Sequence, residues 1–305
     1  MQQIAIDIGY GDTKVYYEGK CFKFPSAIEQ VRQAQVDLSE NKKDVYLYNG
    51  VQYRVGQKAL LGAIATRGFN FLNKYSPLLV LHALKQAEID FDKPISIATG
   101  LSLLNYQVAE DFMNSLKSFT IGEIHLKPKI FLFAQGQGIF LECPMPKEDE
   151  LIGVIDIGYN TLDFLVFDDN EARSDLCFAN QGGANKIIVD LQKILTREYR
   201  VDFSEQEAKK VFLNREVKIA GQRIDFKDTI MSMTERYIDF VLDEFSNKCG
   251  DLMIRSDGVI IGGGGAYFLD EEYIRQERPN IILAPNPYEY SNVRGYYKGA
   301  FENLN

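Results

Sequence analysis

The stretch "IAIDIGYGDTKVYY", residues 4–17, runs an apolar strand straight into Asp7, Gly9 and Gly11 and reaches Lys14 on the return strand. About half the chain later the arrangement comes back as "GVIDIGYNTLDFLVF", residues 153–167, with I-D-I-G-Y in register and a strand on either side. Taken singly, each turn reads equally well as an ordinary hairpin or as half of a phosphate site. A strand–turn–strand at the head of each half reads better as two similar domains. Just before the second copy, "CPMPKEDEL", residues 143–151, is rich in proline and charge and reads as a linker.

The remaining segments alternate between strand and helix. "TKVYYEG" and "KCFKFPS" continue a meander, and "VYLYNGVQYRVG" carries Asn49-Gly50 between two alternating runs, the strongest short hairpin signal. "SPLLVLHALKQAEI" predicts a helix opening on Ser76 and Pro77. "PISIATGLS" predicts a buried strand, "YQVAEDFMNSLKSF" a helix, "GEIHLKPKIFLFAQ" one or two strands, and a helix begins near Gly136. In the second half, "GANKIIVDLQKILTREY", "SEQEAKKVFLN" and "KDTIMSMTERYIDFVLDEFSNKC" predict helices. The last places Ile230, Met233, Tyr237, Val241 and Phe245 on one apolar face. "DGVIIGGGGAYF" predicts strand, glycine turn and helix start, "NIILAP" a final strand, and "SNVRGYYKGAFENL" a helix capped by Ser291. The class is α/β.

Composition excludes several chemistries. The 305 residues suffice for two domains of about 150 residues each. A formal net charge of −9 argues against general nucleic-acid binding, which works by neutralising phosphates. The four cysteines (Cys21, Cys143, Cys177 and Cys249) form no C-x-x-C pair, which disfavours structural zinc or a disulfide framework and suits a reducing cytoplasm. No signal peptide is evident, and no apolar run approaches the roughly 18 residues that span a bilayer. The two histidines, His82 and His125, read as surface or packing residues, and no G-x-S-x-G elbow occurs. Carboxylates and backbone amides are left to carry any catalysis.

Glycines bring bare N–H groups close to an anion, but an aspartate at the strand end repels phosphate. The pairing makes sense when a divalent cation lies between carboxylate and phosphate; hard Mg²⁺ prefers oxygen ligands and keeps several waters. Lys14 would neutralise phosphate from the other strand, and Asp156, Gly158, Tyr159, Asn160 and Thr161 repeat the logic. With the third turn, Gly262 to Gly265, two hairpins and a glycine run point to a nucleotide. The Walker loop is absent, and "GYGDTK" lacks the third glycine of G-x-G-x-x-G.

In order, "IDIGYGDTK", "LFAQGQG", "VIDIGYNTLDF", "VIIGGGGAYF" and "NPYEYSNVRGYYKGAF" resemble the phosphate, connecting and adenosine motifs of the actin, heat-shock chaperone and sugar-kinase superfamily. "FKFPSAI", "YRVGQKAL", "IATGLSLLNY" and "NVRGYYKGA" are most similar to the plasmid-segregation actins of the ParM/StbA group and their archaeal relatives. The resemblance implies two related RNase H-like α/β domains, residues 1–147 with about 288–305 and residues 148–287, with ATP or another NTP in the cleft between them. It implies that Asp7 and Asp156 hold Mg²⁺, largely through water. Gly9, Tyr10, Gly11, Asp12, Thr13 and Lys14 would line one side of the phosphates, and Gly158 to Thr161 the other.

The resemblance further implies that Gln135 positions the hydrolytic water, where many plasmid actins carry an acid. An uncharged amide orients water but is a poor general base. Gly182, Gly183 and Gly262 to Gly265 would contact the nucleoside. Glu207 and Lys210 resemble a ribose- and base-holding pair, and read equally as an exposed helix face. The implied activity is an ATPase coupled to filament assembly, for plasmid segregation or a prokaryotic cytoskeleton. It would be cytoplasmic, self-associating, free of membrane, and linked to DNA through an adaptor protein. The alternatives are a non-polymerising ATPase, a small-molecule kinase that drafts Asp163, or a nucleotide-binding scaffold with little turnover.

Overall fold

A computed structural model describes residues 1–31, 45–64, 68–143, 150–269 and 280–302. Contacts divide the chain into two units, Met1–Met145 with Ala284–Asn305, and Pro146–Leu283. Most of the expected linker, residues 144–149, lies outside the described residues.

The first unit opens on β1 (Gln2–Ile8), which turns through β2 (Asp12–Tyr17) into β3 (Lys20–Pro25). β4 (Ile28–Gln30), β5 (Val45–Tyr48) and β6 (Val51–Val55) form a small separate sheet. Its β5–β6 turn is the Asn49-Gly50 pair, at φ 50° and 76°, as a type I′ hairpin demands. Then come α1 (Phe69–Gln86), β7 (Ile95–Leu101), α2 (Ala109–Lys117), β8 (Phe119–Ile121), β9 (Ile124–Leu126), β10 (Lys129–Ala134) and α3 (Gln137–Glu142). The main sheet runs β10-β7-β1-β2-β3, parallel from β10 to β1 and antiparallel beyond.

The sequence placed the start of α1 at Ser76-Pro77; the helix instead begins at Phe69 and carries Pro77 within it. Phe71, Leu72 and Tyr75, upstream of the proline, are buried in the core, and that burial outweighs the hydrogen bond a mid-helix proline removes. His82, on α1, is the packing residue expected: its Nδ1 meets the Tyr46 hydroxyl at 2.7 Å and its ring packs edge-on against Phe24.

The second unit contains β11 (Leu151–Ile157), β12 (Thr161–Asp168), β13 (Glu171–Ala172), β14 (Phe178–Gln181), α4 (Asn185–Tyr199) and α5 (Glu205–Asn214). It continues with β15 (Glu216–Ile219), β16 (Gln222–Asp225), α6 (Lys227–Cys249), α7 (Leu252–Arg255), β17 (Gly258–Gly262) and β18 (Ile281–Leu283). Its main sheet runs β13-β12-β11-β17-β18, with β14 also on β12. The hairpin β11–β12 takes the place of β1–β2, and the parallel strands β17 and β18 take those of β7 and β10. The repeat seen in the motifs is therefore a repeat of topology. All five predicted face residues of α6 are buried, with Phe245 stacked near Phe164. Beyond β17 the expected helix start is only a 3-10 turn, Gly264–Phe268.

The chain then re-enters the first unit as α8 (Ser291–Tyr297). Ser291 is not its cap but its first residue, and its hydroxyl donates to the Tyr288 carbonyl at 2.8 Å. α8 lies on the sheet face presented by Ala5 and Ala98, small residues that let Val293 and Tyr296 approach. The Tyr296 ring stacks on Phe133 with centroids 5.5 Å apart. The opposite face, with Ile4, Ile6 and Ile97, packs in the larger core that includes α1. α8 also crosses α3 so closely that a Cβ on Gly295 would strike the Gly138 carbonyl. Gly295→Ala is expected to lower stability by about 1–3 kcal/mol through overpacking, read by urea unfolding. Gly264→Ala, at a position with no heavy atom within 4 Å, serves as control and should change little.

Candidate functional site: two glycine hairpins

In the first unit, antiparallel pairing sets Asp7 opposite Lys14. The strand alternation puts both on the face of Ala5, beneath α8. Asp7 is 2% exposed, and its carboxylate accepts from Lys14 Nζ at 3.0 Å and from the Gln135 amide at 3.2 Å. Gln135 stands between β10 and α3, its own N–H bonded to the Leu101 carbonyl at 2.9 Å. Three of the expected residues, two from one hairpin and Gln135 from far along the chain, thus meet at one carboxylate. The turn is braced from outside: the Ser26 N–H donates to the Gly11 carbonyl at 3.0 Å, the Thr13 and Ser26 hydroxyls lie 2.8 Å apart, and Asn105 donates to the Tyr10 hydroxyl at 3.2 Å. Gly9 and Asp12 complete the turn, where a Cβ on Gly9 would come 2.9 Å from the Asp12 carbonyl oxygen.

In the second unit the register sets Asp156 opposite Asp163. Both are buried, at 4% and 1% exposure, so this hairpin carries two acids where the first pairs an acid with a lysine. The turn closes through Gly158 N–H to the Thr161 carbonyl at 3.0 Å. The entry to α4 docks on it. Gly182 and Gly183 donate to the Asn160 carbonyl, Ala184 to Gly158 at 2.9 Å, and Asn185 to Tyr159 at 2.8 Å. A Cβ on Gly183 would lie 2.6 Å from the turn backbone, so only glycine permits this approach. Gly263, at φ 82°, closes on the same strand end; a Cβ there would strike the Asp156 carboxylate. Gly262 pairs with Asp156 across β11–β17, and Gly264 and Gly265 start the 3-10 turn.

Glu207 and Lys210 are exposed on α5. Glu207 caps its own helix: its carboxylate accepts from the Ser204 N–H and hydroxyl at 2.7 Å, and its own N–H donates back to the Ser204 hydroxyl. The Ser204 side chain, chiefly, holds the Glu207 carboxyl below the usual range. The residues that reach the turn are their neighbours. Glu205 accepts from the Tyr159 hydroxyl at 2.8 Å, and Lys209 lies 5.3 Å from the Tyr159 ring centroid. The S-x-x-E spacing of Ser204 and Glu207 is a capping-box signature that would have assigned Glu207 to the helix end.

Among the described residues, no three His, Cys, Asp or Glu side chains cluster closely enough to hold a metal. A cation at Asp7 or Asp156 would complete its shell with water and phosphate oxygens, as Mg²⁺ habitually does. The all-oxygen donor set and the buried acid pair of the second hairpin fit such an ion.

The described residues include no helix long and apolar enough to cross a membrane. A family model for the N-terminal domain of actin-like proteins matches residues 5–129, and one for the C-terminal domain of the archaeal actin homologue MreB-like matches residues 154–273. A search of curated proteins finds no match. Among solved structures the chain is similar to Ta0583, an archaeal actin homolog, at 20% identity and TM-score 0.81, covering 99% of this chain and 100% of that one. It is also similar to a ParM in a 15-stranded filament from Clostridium botulinum, at 22% identity and TM-score 0.78, covering 98% of both chains. Ta0583 in complex with ADP matches at 19% identity and TM-score 0.78, over 99% of this chain and 100% of that one. The fold is that of actin and its homologues. The chain belongs to the actin-like proteins.

Removing the lysine leaves Asp7 buried without its cation. Lys14→Met is expected to cost about 1–3 kcal/mol in urea unfolding. Adding Asp7→Asn should recover part of that loss; a strictly additive double variant would show that the pair is not coupled.

Proposed function

We propose that this protein is an ATPase that binds Mg²⁺–ATP between its two units and assembles into nucleotide-dependent filaments. The observation that carries the reading is the duplicated hairpin. The same D-x-G turn heads the same sheet topology in each unit, each with its aspartate buried at the strand end. One polyphosphate clamped by both turns gives that duplication a purpose. The proposed domains, residues 1–147 with about 288–305 and residues 148–287, differ by a few residues from the two contact units.

Gly9 to Lys14 would line the phosphates from one side and Gly158 to Thr161 from the other. Gly182, Gly183 and Gly262 to Gly265 would admit the nucleoside beside Glu207 and Lys210, whose helix meets the second turn through Glu205 and Lys209 at Tyr159. Asp7 and Asp156 would hold the hydrated ion, which neutralises phosphate charge when bound. Gln135 is poised to orient water beside Asp7, and as an amide it would do so without taking the proton. Support for the ligand comes from the ADP complex of Ta0583, and for assembly from the ParM filament. Contacts for a filament must be head-to-tail and non-closing. A cytoplasmic protein of net charge −9 would reach DNA, in plasmid segregation, through an adaptor.

Light scattering and sedimentation with Mg·ATP, with Mg·ADP and without nucleotide test the assembly. Polymer should form with ATP, and its absence under every condition overturns the filament reading. Phosphate release without added substrate separates an ATPase from a small-molecule kinase. Asp156→Ala is expected to lower phosphate release by at least about 100-fold with the fold retained. Gln135→Ala should slow it by about 10- to 100-fold, and an unchanged rate would remove Gln135 from the mechanism.

A further inference from the structure

Within the second unit, α4 and α6 lie side by side and enclose a cavity of about 300 Å³ that the nucleotide reading does not use. That volume is at the lower end of the range for small-molecule pockets. Its apolar lining includes Ile187, Met233 and Tyr237, all buried, and the half-buried Phe240. The Tyr237 hydroxyl is turned away into the fold, donating to the Gly182 carbonyl at 2.9 Å, and burial pushes its ionisation upward. The ring, and not a polar tip, is what Tyr237 offers the cavity.

Two exposed cations, one from each helix, also line it: Lys186 and Arg236. Lys186 Nζ lies 5.5 Å from the centroid of the Phe240 ring, which holds the charge at the mouth of the apolar slot. Arg236 is anchored by its Nε to the Ser232 carbonyl at 3.1 Å. The one acid in the lining, Asp190, is ion-paired with Lys193 at 3.0 Å. An apolar slot with a net positive rim is thus set in a chain whose overall charge is −9.

We propose that the α4–α6 cavity binds a small amphipathic anion, with an aromatic body against Tyr237 and Phe240 and an acidic head between Lys186 and Arg236. Apolar burial would supply the affinity and the two cations the orientation. The site draws on none of the residues assigned to phosphate or metal.

The probes are 1-anilinonaphthalene-8-sulfonate and its uncharged analogue N-phenyl-1-naphthylamine, followed by fluorescence on the full chain. Both should bind the unaltered protein. The double variant Lys186→Glu/Arg236→Glu, whose changes lie on exposed positions and whose folding is checked by circular dichroism, should weaken the sulfonate about ten-fold or more. The neutral probe should change by no more than about two-fold, because its binding is apolar. Phe240→Ala should weaken both, and saturating Mg·ADP should displace neither. Failure of the sulfonate to bind, equal sulfonate binding by the charge-reversed protein, a parallel loss of both probes on charge reversal, or competition by Mg·ADP would each overturn the proposal. None of these results depends on whether the protein hydrolyses ATP or polymerises.

Discussion

A carboxylate buried at the end of a central strand is the constraint from which the first unit is organised. Asp7 is inside the protein, where an ionised group without partners is expensive, and its two partners arrive by different routes. Lys14 comes from the next strand, and hairpin register alone brings it opposite. Gln135 comes from the end of β10, which must lie parallel to β7, itself parallel to β1, to deliver it. The carboxylate is satisfied only when hairpin and parallel strands are both in place, so a local turn becomes dependent on the tertiary fold.

The helices behind that strand answer to the same geometry. α8 settles on Ala5 and Ala98, and the glycine pair where it crosses α3 allows backbone to approach backbone. The side chain of Asn292 on α8 accepts the Gly136 N–H at 3.0 Å, fixing the residue next to Gln135. Nearby, Arg294 pairs with both carboxylate oxygens of Glu142 and donates to the Pro285 carbonyl. Burial raises the Glu142 carboxyl and the guanidinium opposes it. The segment that returns from the second unit therefore helps to build the first hairpin's surroundings, although it lies far away in sequence.

Much of this was legible beforehand, and what was not has physical causes. The hairpins announced themselves because their chemistry is local: an aspartate, glycines and a lysine within a few residues. The α6 face was legible because helical period and burial coincide at Ile230, Met233, Tyr237, Val241 and Phe245. The start of α1 was misplaced because Ser76-Pro77 obeys a local rule that the burial of Phe71 and Tyr75 overrides. Ser291 failed as a cap for a related reason: the turn before it, Tyr288–Tyr290, already leads into the helix and takes up its hydroxyl. The contacts of Glu205 and Lys209 were not legible because an E-x-x-K spacing shows charges on a helix but not which face of it meets Tyr159. The contact of Gln135 with Asp7 is long-range, and residue spacing carries no trace of its geometry.

The two hairpins are alike in backbone but differ across the strands, an acid facing a lysine in the first and an acid facing an acid in the second, which suits them to different work in the proposed reaction. At Asp7 the lysine already compensates the acid, so a second cation there gains less. At Asp156 the cross-strand residue is another buried acid, Asp163, so this hairpin presents two carboxylates where the first presents one. Under the proposed function the second hairpin would offer the ion more carboxylate oxygen, and the first would offer Lys14 to phosphate and Gln135 to water. Loss of the terminal phosphate would then act mainly on the first hairpin, leaving Lys14 with its contact to Asp7. Such unequal release is what allows hydrolysis to act as a conformational signal, because a ligand shifts an equilibrium only by its differential affinity for the two states.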